Sequence, residues 1–362
     1  MRRPIARILV PLLLMFVIAT PAAAAPITPV HSASAGSVAG CIPWRIVLAP
    51  TDPFQEFTAI DGESARNFWA VGDASASPHR PTILRWDGMR WSRPLVEVKD
   101  GAMEDVALIS SHDAWAVGER TDGSRTLVLH WDGSAWAKVS SPSPEPNSNA
   151  LYGVSATSSS DAWAVGVSGY NHGLITHWDG RTWSVVPHPQ YRAGEEFRGV
   201  LALAKDNVWA VGDQFSSFEE KPIIQHWDGS AWSDVRFPHP EGIFLGIGGS
   251  GPNDVWAVGS DGAPLIFRWN GTEWTRLGGI LDRLRGELRG VSALTPDDVW
   301  VSGVNKWGQP VAAHWNGSTW TFTPVQKENA WFNTIKAFSH TEVWAGGGGI
   351  TGIRAERFSG CP

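Results

Sequence analysis

Seven copies of one tryptophan-centred phrase run through the chain: FWAVG, AWAVG, AWAVG, VWAVG, VWAVG, VWVSG and VWAGG. Their tryptophans, Trp69, Trp115, Trp163, Trp209, Trp256, Trp300 and Trp344, stand 46, 48, 46, 47, 44 and 44 residues apart. A period of that length marks a repeat architecture and overrides any domain count drawn from length. Each unit holds four short extended signals. The third reads LYGVSAT, a polar turn, DAWAVG, a variable loop, LITHW, an Asp-Gly turn and TWSVVP. Asp-Gly or Asn-Gly between aromatic-flanked runs predicts a two-residue hairpin turn with both central residues at positive φ. No unit contains the periodic segment of about 10–15 residues that a helical repeat needs. The fold class expected is all-β, a seven-bladed β-propeller of four-stranded antiparallel blades.

The hairpin phrase itself occurs six times complete, as RWDGMRW, HWDGSAW, HWDGRTW, HWDGSAW, RWNGTEW and HWNGSTW. At the C-terminus Arg357-Phe358-Ser359-Gly360 begins it again, and the second tryptophan is missing. Near the N-terminus Trp44 is followed by Ile46, Val47 and Pro50, the pattern of the other fourth strands. The N-terminal strand is therefore expected to complete the seventh blade and close the ring, which removes an open sheet edge. The two cysteines, Cys41 and Cys361, flank this interrupted hairpin. In an exported chain they are expected to pair as a disulfide; catalytic or metal-binding roles are the weaker alternatives.

Arg2, Arg3 and Arg7 precede an apolar run from Ile8 to Ile18 and the small stretch Ala22–Ala25. That is the pattern of a secretory signal peptide, too short to span a membrane. Val38-Ala39-Gly40-Cys41 resembles a lipoprotein acylation box, but it lies far from the apolar run. The expected organisation is a signal peptide over 1–25, a flexible Pro- and Ser-rich leader over 26–40, and the propeller over 41–362. Removing three arginines with the signal takes the formal charge from −7 to −10. An acidic exported protein has no electrostatic footprint for nucleic acid. A secreted monomer, extracellular or periplasmic, with no membrane span and no cofactor is expected.

These phrases resemble those of the secreted bacterial seven-bladed propellers in the WD40/YVTN/BNR-like superfamily, over residues 41–362. The sequence departs from that pattern in two ways. Asp and Gly are adjacent here, where the Asp-box reads S-x-D-x-G-x-x-W, and the blades lack the terminal Trp-Asp of WD40 repeats. The resemblance implies a fold and leaves the activity open.

Of 22 tryptophans, 20 occupy repeated positions and are expected to pack between blades. Only Trp307 and Trp331 lie off the repeat, on loops of one face where they are expected to be neighbours; stacking a sugar or other ring and a local packing role are the two readings. His130, His177, His226 and His314 precede the turn tryptophan, with Arg85, Arg268 and Arg357 in that place elsewhere. The acid or amide two residues before each WAVG tryptophan also repeats, so both sets read as scaffold and offer no metal-ligand spacing.

Counting back from each WAVG tryptophan aligns the starts of the innermost strands, which line the channel of a propeller. One position there varies freely: Thr58, Glu104, Tyr152, Arg198, Leu245, Arg289 and Asn333. Two residues earlier stand Glu56, Glu196, Glu287 and Trp331 in four of the blades. Repeats share what a fold needs and differ where function acts. A ligand site is therefore expected at this mouth, with Glu104, Tyr152, Glu196, Arg198, Glu287 and Arg289 inside and Trp307 and Trp331 at the rim. Arginine forks suit carboxylate or sulfate oxygens, so a polar, anionic, carbohydrate-like ligand is favoured. A binding or interaction propeller for such a ligand, or for a protein partner, is the first reading. A glycoside hydrolase or polysaccharide lyase, with Tyr152 as base or nucleophile, is the second, and a structural surface protein the third. A plug of Glu–Arg salt bridges is the competing account of the mouth.

Overall fold

The computed structural model describes residues 42–49, 55–74, 80–215, 220–238, 241–323, 325, 330–349 and 354–359. Seven four-stranded antiparallel sheets succeed one another along the chain. Their innermost strands are Gln55–Ser64, Ala102–Ser110, Asn149–Ser158, Glu195–Ala204, Ile243–Gly251, Gly286–Thr295 and Ala330–Ser339, which define blades 1 to 7. Each inner strand packs against the next, and Ala330–Ser339 packs against Gln55–Ser64, so the ring is closed. Among the described residues the only helical segment is a 3-10 turn at Gly279–Arg283. No helix among them is long and apolar enough to cross a membrane.

The core lies in the seams between blades. Each of seven buried clusters draws its side chains from two neighbouring blades. The WAVG tryptophan of one blade meets both turn tryptophans of the next. Trp115 lies 4.9 Å from Trp178 and 5.2 Å from Trp183, the latter edge-on at 89°. Edge-to-face packing places the positive rim of one ring against the negative face of another, and it recurs at every seam between complete hairpins.

The last seam is closed as the interrupted phrase implies. Strand Ile42–Val47 pairs antiparallel with Arg354–Ser359, with Ile42 opposite Ser359 and Arg45 opposite Arg357. Trp44 takes the place of the missing second tryptophan, 6.2 Å from Trp300 at 81° and 5.5 Å from Phe358. Its indole N–H donates to Thr323 Oγ1 at 3.0 Å. Cys41 and Cys361 lie outside the described residues.

The hairpin turns differ from the two-residue form that their sequence suggests. Trp86 pairs with Trp91, so four residues form the loop, and the other turns match. Only the glycines, Gly88 (94°) and Gly133 (96°) among them, take positive φ; the Asp and Asn residues do not. The acid has a different task. Asp132 Oδ1 accepts the amides of Ser134 and Ala135 at 2.8 and 3.0 Å and the Ser134 hydroxyl at 2.7 Å. The Ser134 hydroxyl and then these amides hold its pKa down at about 2. A carboxylate or amide oxygen capping the loop satisfies amides that a mirror-image turn would have left to the ladder.

Candidate functional site

In every blade the register between first and second strands slips at two places, one beside the turn that joins them and one near the start of the inner strand. At the second of these Thr58, Glu104, Tyr152, Arg198, Leu245, Arg289 and Asn333 are the inserted residues, without an opposite number on the second strand. The freely varying position of the repeat is therefore a β-bulge, a device that bends a strand and re-aims a side chain. The glycine of WAVG lies opposite the residue before the bulge, as Gly72 does to Phe57. A Cβ on Gly72 would meet Glu56 O at 1.8 Å, and one on Gly212 would meet Glu196 O at 2.0 Å. The bulge presses the inner-strand carbonyl onto its neighbour, and only glycine leaves room. This is why the phrase ends in Gly.

All seven bulge residues line one central channel of about 640 Å³. The Arg side of its mouth is formed by blades 4 and 6. Glu196 pairs with Arg198, and Arg198 lies 3.9 Å from Asp213 and spreads its guanidinium over Tyr152, 5.1 Å from the ring centre. Glu287 pairs with Arg289 through Nε at 2.7 Å, and Arg289 Nη1 reaches Asn333 Oδ1 at 2.5 Å. Asn333 Nδ2 continues to Glu56 Oε2 at 3.0 Å, and the Trp331 indole N–H donates to the same oxygen at 2.6 Å. Blades 6, 7 and 1 thus share one polar chain.

The Glu–Arg pairs are formed without sealing the mouth: Arg198 remains 36% exposed and Arg289 33%. A fully buried plug is not what the residues make. Each guanidinium offers five N–H groups, and the pairs leave some of Arg198's uncommitted.

The acidic side is formed by blades 1 and 2. Glu104 is pushed up from an ordinary 4.5 to about 8, first by burial and then by the nearby carboxylates of Glu119, Asp73 and Glu56. It therefore stands in the mouth as a neutral acid at pH 7, a hydrogen-bond donor. Burial also raises the Tyr152 phenol, against the lowering effect of Arg198. Asp213 is raised to about 6, again mainly by burial.

Deeper in the channel lie three charges that the repeat pattern passes over. Lys336 Nζ lies 2.6 Å from Asp61 Oδ1 across the junction of blades 7 and 1. Asp105 accepts the amides of Val106 and Val154, both at 2.8 Å, and burial lifts its pKa to about 7. Asp61, Ser155 and Ser292 likewise accept amides from the following blade, at Leu108, Ala202 and Ala337. A signal existed: Asp61 and Lys336 occupy a repeat position held elsewhere by Ala107, Ser155, Leu201, Gly248 and Ser292.

Trp331 joins the mouth through Glu56. Trp307 does not line the channel; it is 69% exposed, with Lys306 Nζ 4.6 Å above its own ring, and no ring contact joins it to Trp331 among the described residues. The two sets assigned to scaffold prove to be partners of each other. His130 Nε2 meets Asp113 at 2.8 Å, His177 meets Asp161 at 2.7 Å and Arg268 meets Asp254 at 2.9 Å. The same imidazoles stack on the WAVG tryptophans, as His177 does on Trp163 at 4.3 Å.

No protein-family model matches the chain, and no curated protein matches it. Among solved structures it is similar to YCF48 bound to D1 peptide, with 18% identity, a TM-score of 0.62 and coverage of 89% of this chain and 97% of that one. YCF48 from Cyanidioschyzon merolae matches at 16% identity and TM-score 0.59, over 88% and 99% of the two chains. A GH74 xyloglucanase from Xanthomonas campestris matches at 11% identity and TM-score 0.62, over 86% of this chain and 53% of that one. At these identities the likeness establishes the seven-bladed fold and leaves the site to its own chemistry.

Proposed function

We propose that the chain is an exported binding propeller whose channel mouth takes an acidic sugar chain or a chemically similar anionic ligand. One observation carries the reading. The freely varying level at the start of the inner strands is a bulge in every blade, and it delivers two arginines, a tyrosine and a neutral acid into one opening. Arg198 and Arg289 suit carboxylate or sulfate oxygens. Glu104 and Tyr152, both protonated at neutral pH, donate to hydroxyl and carbonyl oxygens. Trp331 offers an apolar face beside them.

Binding of the purified propeller to uronic-acid and sulfated oligosaccharides, with neutral ones as controls, tests this by calorimetry. The double substitution Arg198→Ala with Arg289→Ala is expected to weaken acidic-ligand binding about a hundredfold, the loss of two charge-assisted contacts. Unchanged affinity in the double variant would remove the mouth from consideration. A peptide ligand is the second reading, supported by the peptide-bound propeller to which the chain is similar; peptides bearing a free carboxylate are the matching probe. For a lyase or hydrolase the raised phenol of Tyr152 runs opposite to what a base needs, which leaves Glu104 as the acid such a reading would use.

The signal peptide over 1–25, the leader over 26–40 and the Cys41–Cys361 disulfide belong to the same proposal. The pairing of Ile42 with Ser359, one residue after Cys41 and two before Cys361 in the sequence, supports the disulfide. Non-reducing peptide mapping of the exported protein is expected to recover Cys41 and Cys361 in one linked fragment and nothing from residues 1–25. Two free thiols would sink the disulfide, and an intact residue 1–25 peptide would sink the export signal.

A further inference from the structure

The His–carboxylate pairs on the face opposite the mouth are alike in blades 2 and 3, where one imidazole meets one acid. Blade 6 is different. His314 Nε2 lies 2.8 Å from Asp298 Oδ1, and a second imidazole arrives from blade 7, with His340 Nδ1 2.9 Å from Asp298 Oδ2. His340 occupies the turn after Ala330–Ser339, where the other blades carry Ala65, Ser111, Ser159, Lys205, Pro252 and Pro296. His112 stands in the same turn of blade 2, one residue further along, where its Nδ1 meets Ser111 Oγ at 2.8 Å.

We propose that Asp298, His314 and His340 form a binding site for a borderline divalent cation of the Zn²⁺ type, bridging blades 6 and 7. One ligand atom from each residue lies within 4.8 Å of the others. Two imidazoles and a carboxylate are the donor set that suits zinc, copper or nickel, and they disfavour calcium and magnesium, which prefer oxygen ligands. Ligand atoms about 2.0–2.1 Å from a tetrahedral zinc stand roughly 3.3 Å apart, so the two hydrogen-bonded contacts need to open by only about half an ångström. His314 is held for this by stacking on Trp300, 4.6 Å away and tilted 35°. His340 is free to adjust, being 63% exposed in its turn. That exposure also leaves the fourth position to water. The sequence conceals the set because its third member comes from the next blade, 42 residues beyond Asp298.

Titration of tag-free protein with zinc chloride, followed by calorimetry, tests the site. One equivalent is expected to bind, and the denaturation midpoint is expected to rise with zinc. His340→Ala changes only an exposed turn residue and keeps His130, His177 and His226 in place as internal controls. It is expected to weaken zinc binding by more than the roughly 10–100-fold that loss of an outer-shell partner costs, and to abolish the midpoint shift. Asp298→Asn is expected to do the same. Zinc binding that is equally tight in His340→Ala, or no binding by the unaltered protein at millimolar zinc, overturns the proposal.

Discussion

Trp44→Ala is expected to cost about 3–5 kcal/mol of folding free energy, roughly a fifth or more of what a typical domain has to lose. The indole is 1% exposed and fills the last seam against Trp300, Phe332 and Phe358. Truncation removes that packing and leaves Thr323 Oγ1 without its indole donor. The strand that carries Trp44 is held in register by the pairing of Ile42–Val47 with Arg354–Ser359. Urea unfolding followed by tryptophan fluorescence reads the effect. A loss under about 1 kcal/mol, the size of an average substitution, would mean that the ring does not depend on this seam. Deleting 26–40 in parallel is expected to leave the midpoint where it was.

The second large effect concerns pH. Glu104 holds its proton up to about 8 in the folded chain, whereas the unfolded chain releases it near 4.5. Between those values the folded state binds more protons than the unfolded one, so stability falls as pH rises and levels off above about 8. The loss from Glu104 is on the order of 5 kcal/mol across the window. Asp105, raised to about 7, and Asp213, raised to about 6, act in the same direction over lower windows. Lys336 is raised by its pairing with Asp61, so its contribution is present throughout this range and is lost only above the ordinary lysine value of 10.5. Glu104→Gln is expected to match the unaltered protein at pH 5 and to exceed it in stability at pH 9, flattening the curve. Denaturation midpoints at five pH values would show it; curves that stay parallel from pH 5 to 9 would refute the assignment.

Much of this architecture is legible in the repeat because the fold uses the same contacts seven times. The period counts the blades, the shared tryptophans mark the seams, and the phrase broken at Phe358 points to Trp44. The mouth is legible too, since Tyr152, Arg198 and Arg289 depart from a pattern that their neighbours obey. What the repeat cannot express is geometry that one residue imposes on another. The bulge is written in no residue at its own position, and its trace is the glycine opposite the residue before it. The Asp-Gly turn conceals its loop length, because aspartate caps four residues as readily as it starts two. Asp61–Lys336 and Asp298–His340 each join different blades, and a period read along the chain contains nothing about which blade-specific side chains meet across it.

The seam at Trp44 also sets the order of events in assembly. Its indole and Thr323 are separated by 279 positions along the chain. Closing a loop of that length is entropically slow, and it cannot begin until nearly every other blade has been made. Blades 1 to 6 are each complete from consecutive residues and can zip up as they emerge. The N-terminal strand of the propeller, Ile42–Val47, is then the last to find its place. Synthesis and completion of the ring run in opposite directions, and Ile42–Val47 stays unclaimed while the six following blades are made. Between the synthesis of Arg354–Ser359 and the docking of Ile42–Val47, the incomplete seventh blade presents an unpaired edge that the same strand of a neighbouring chain fits equally well.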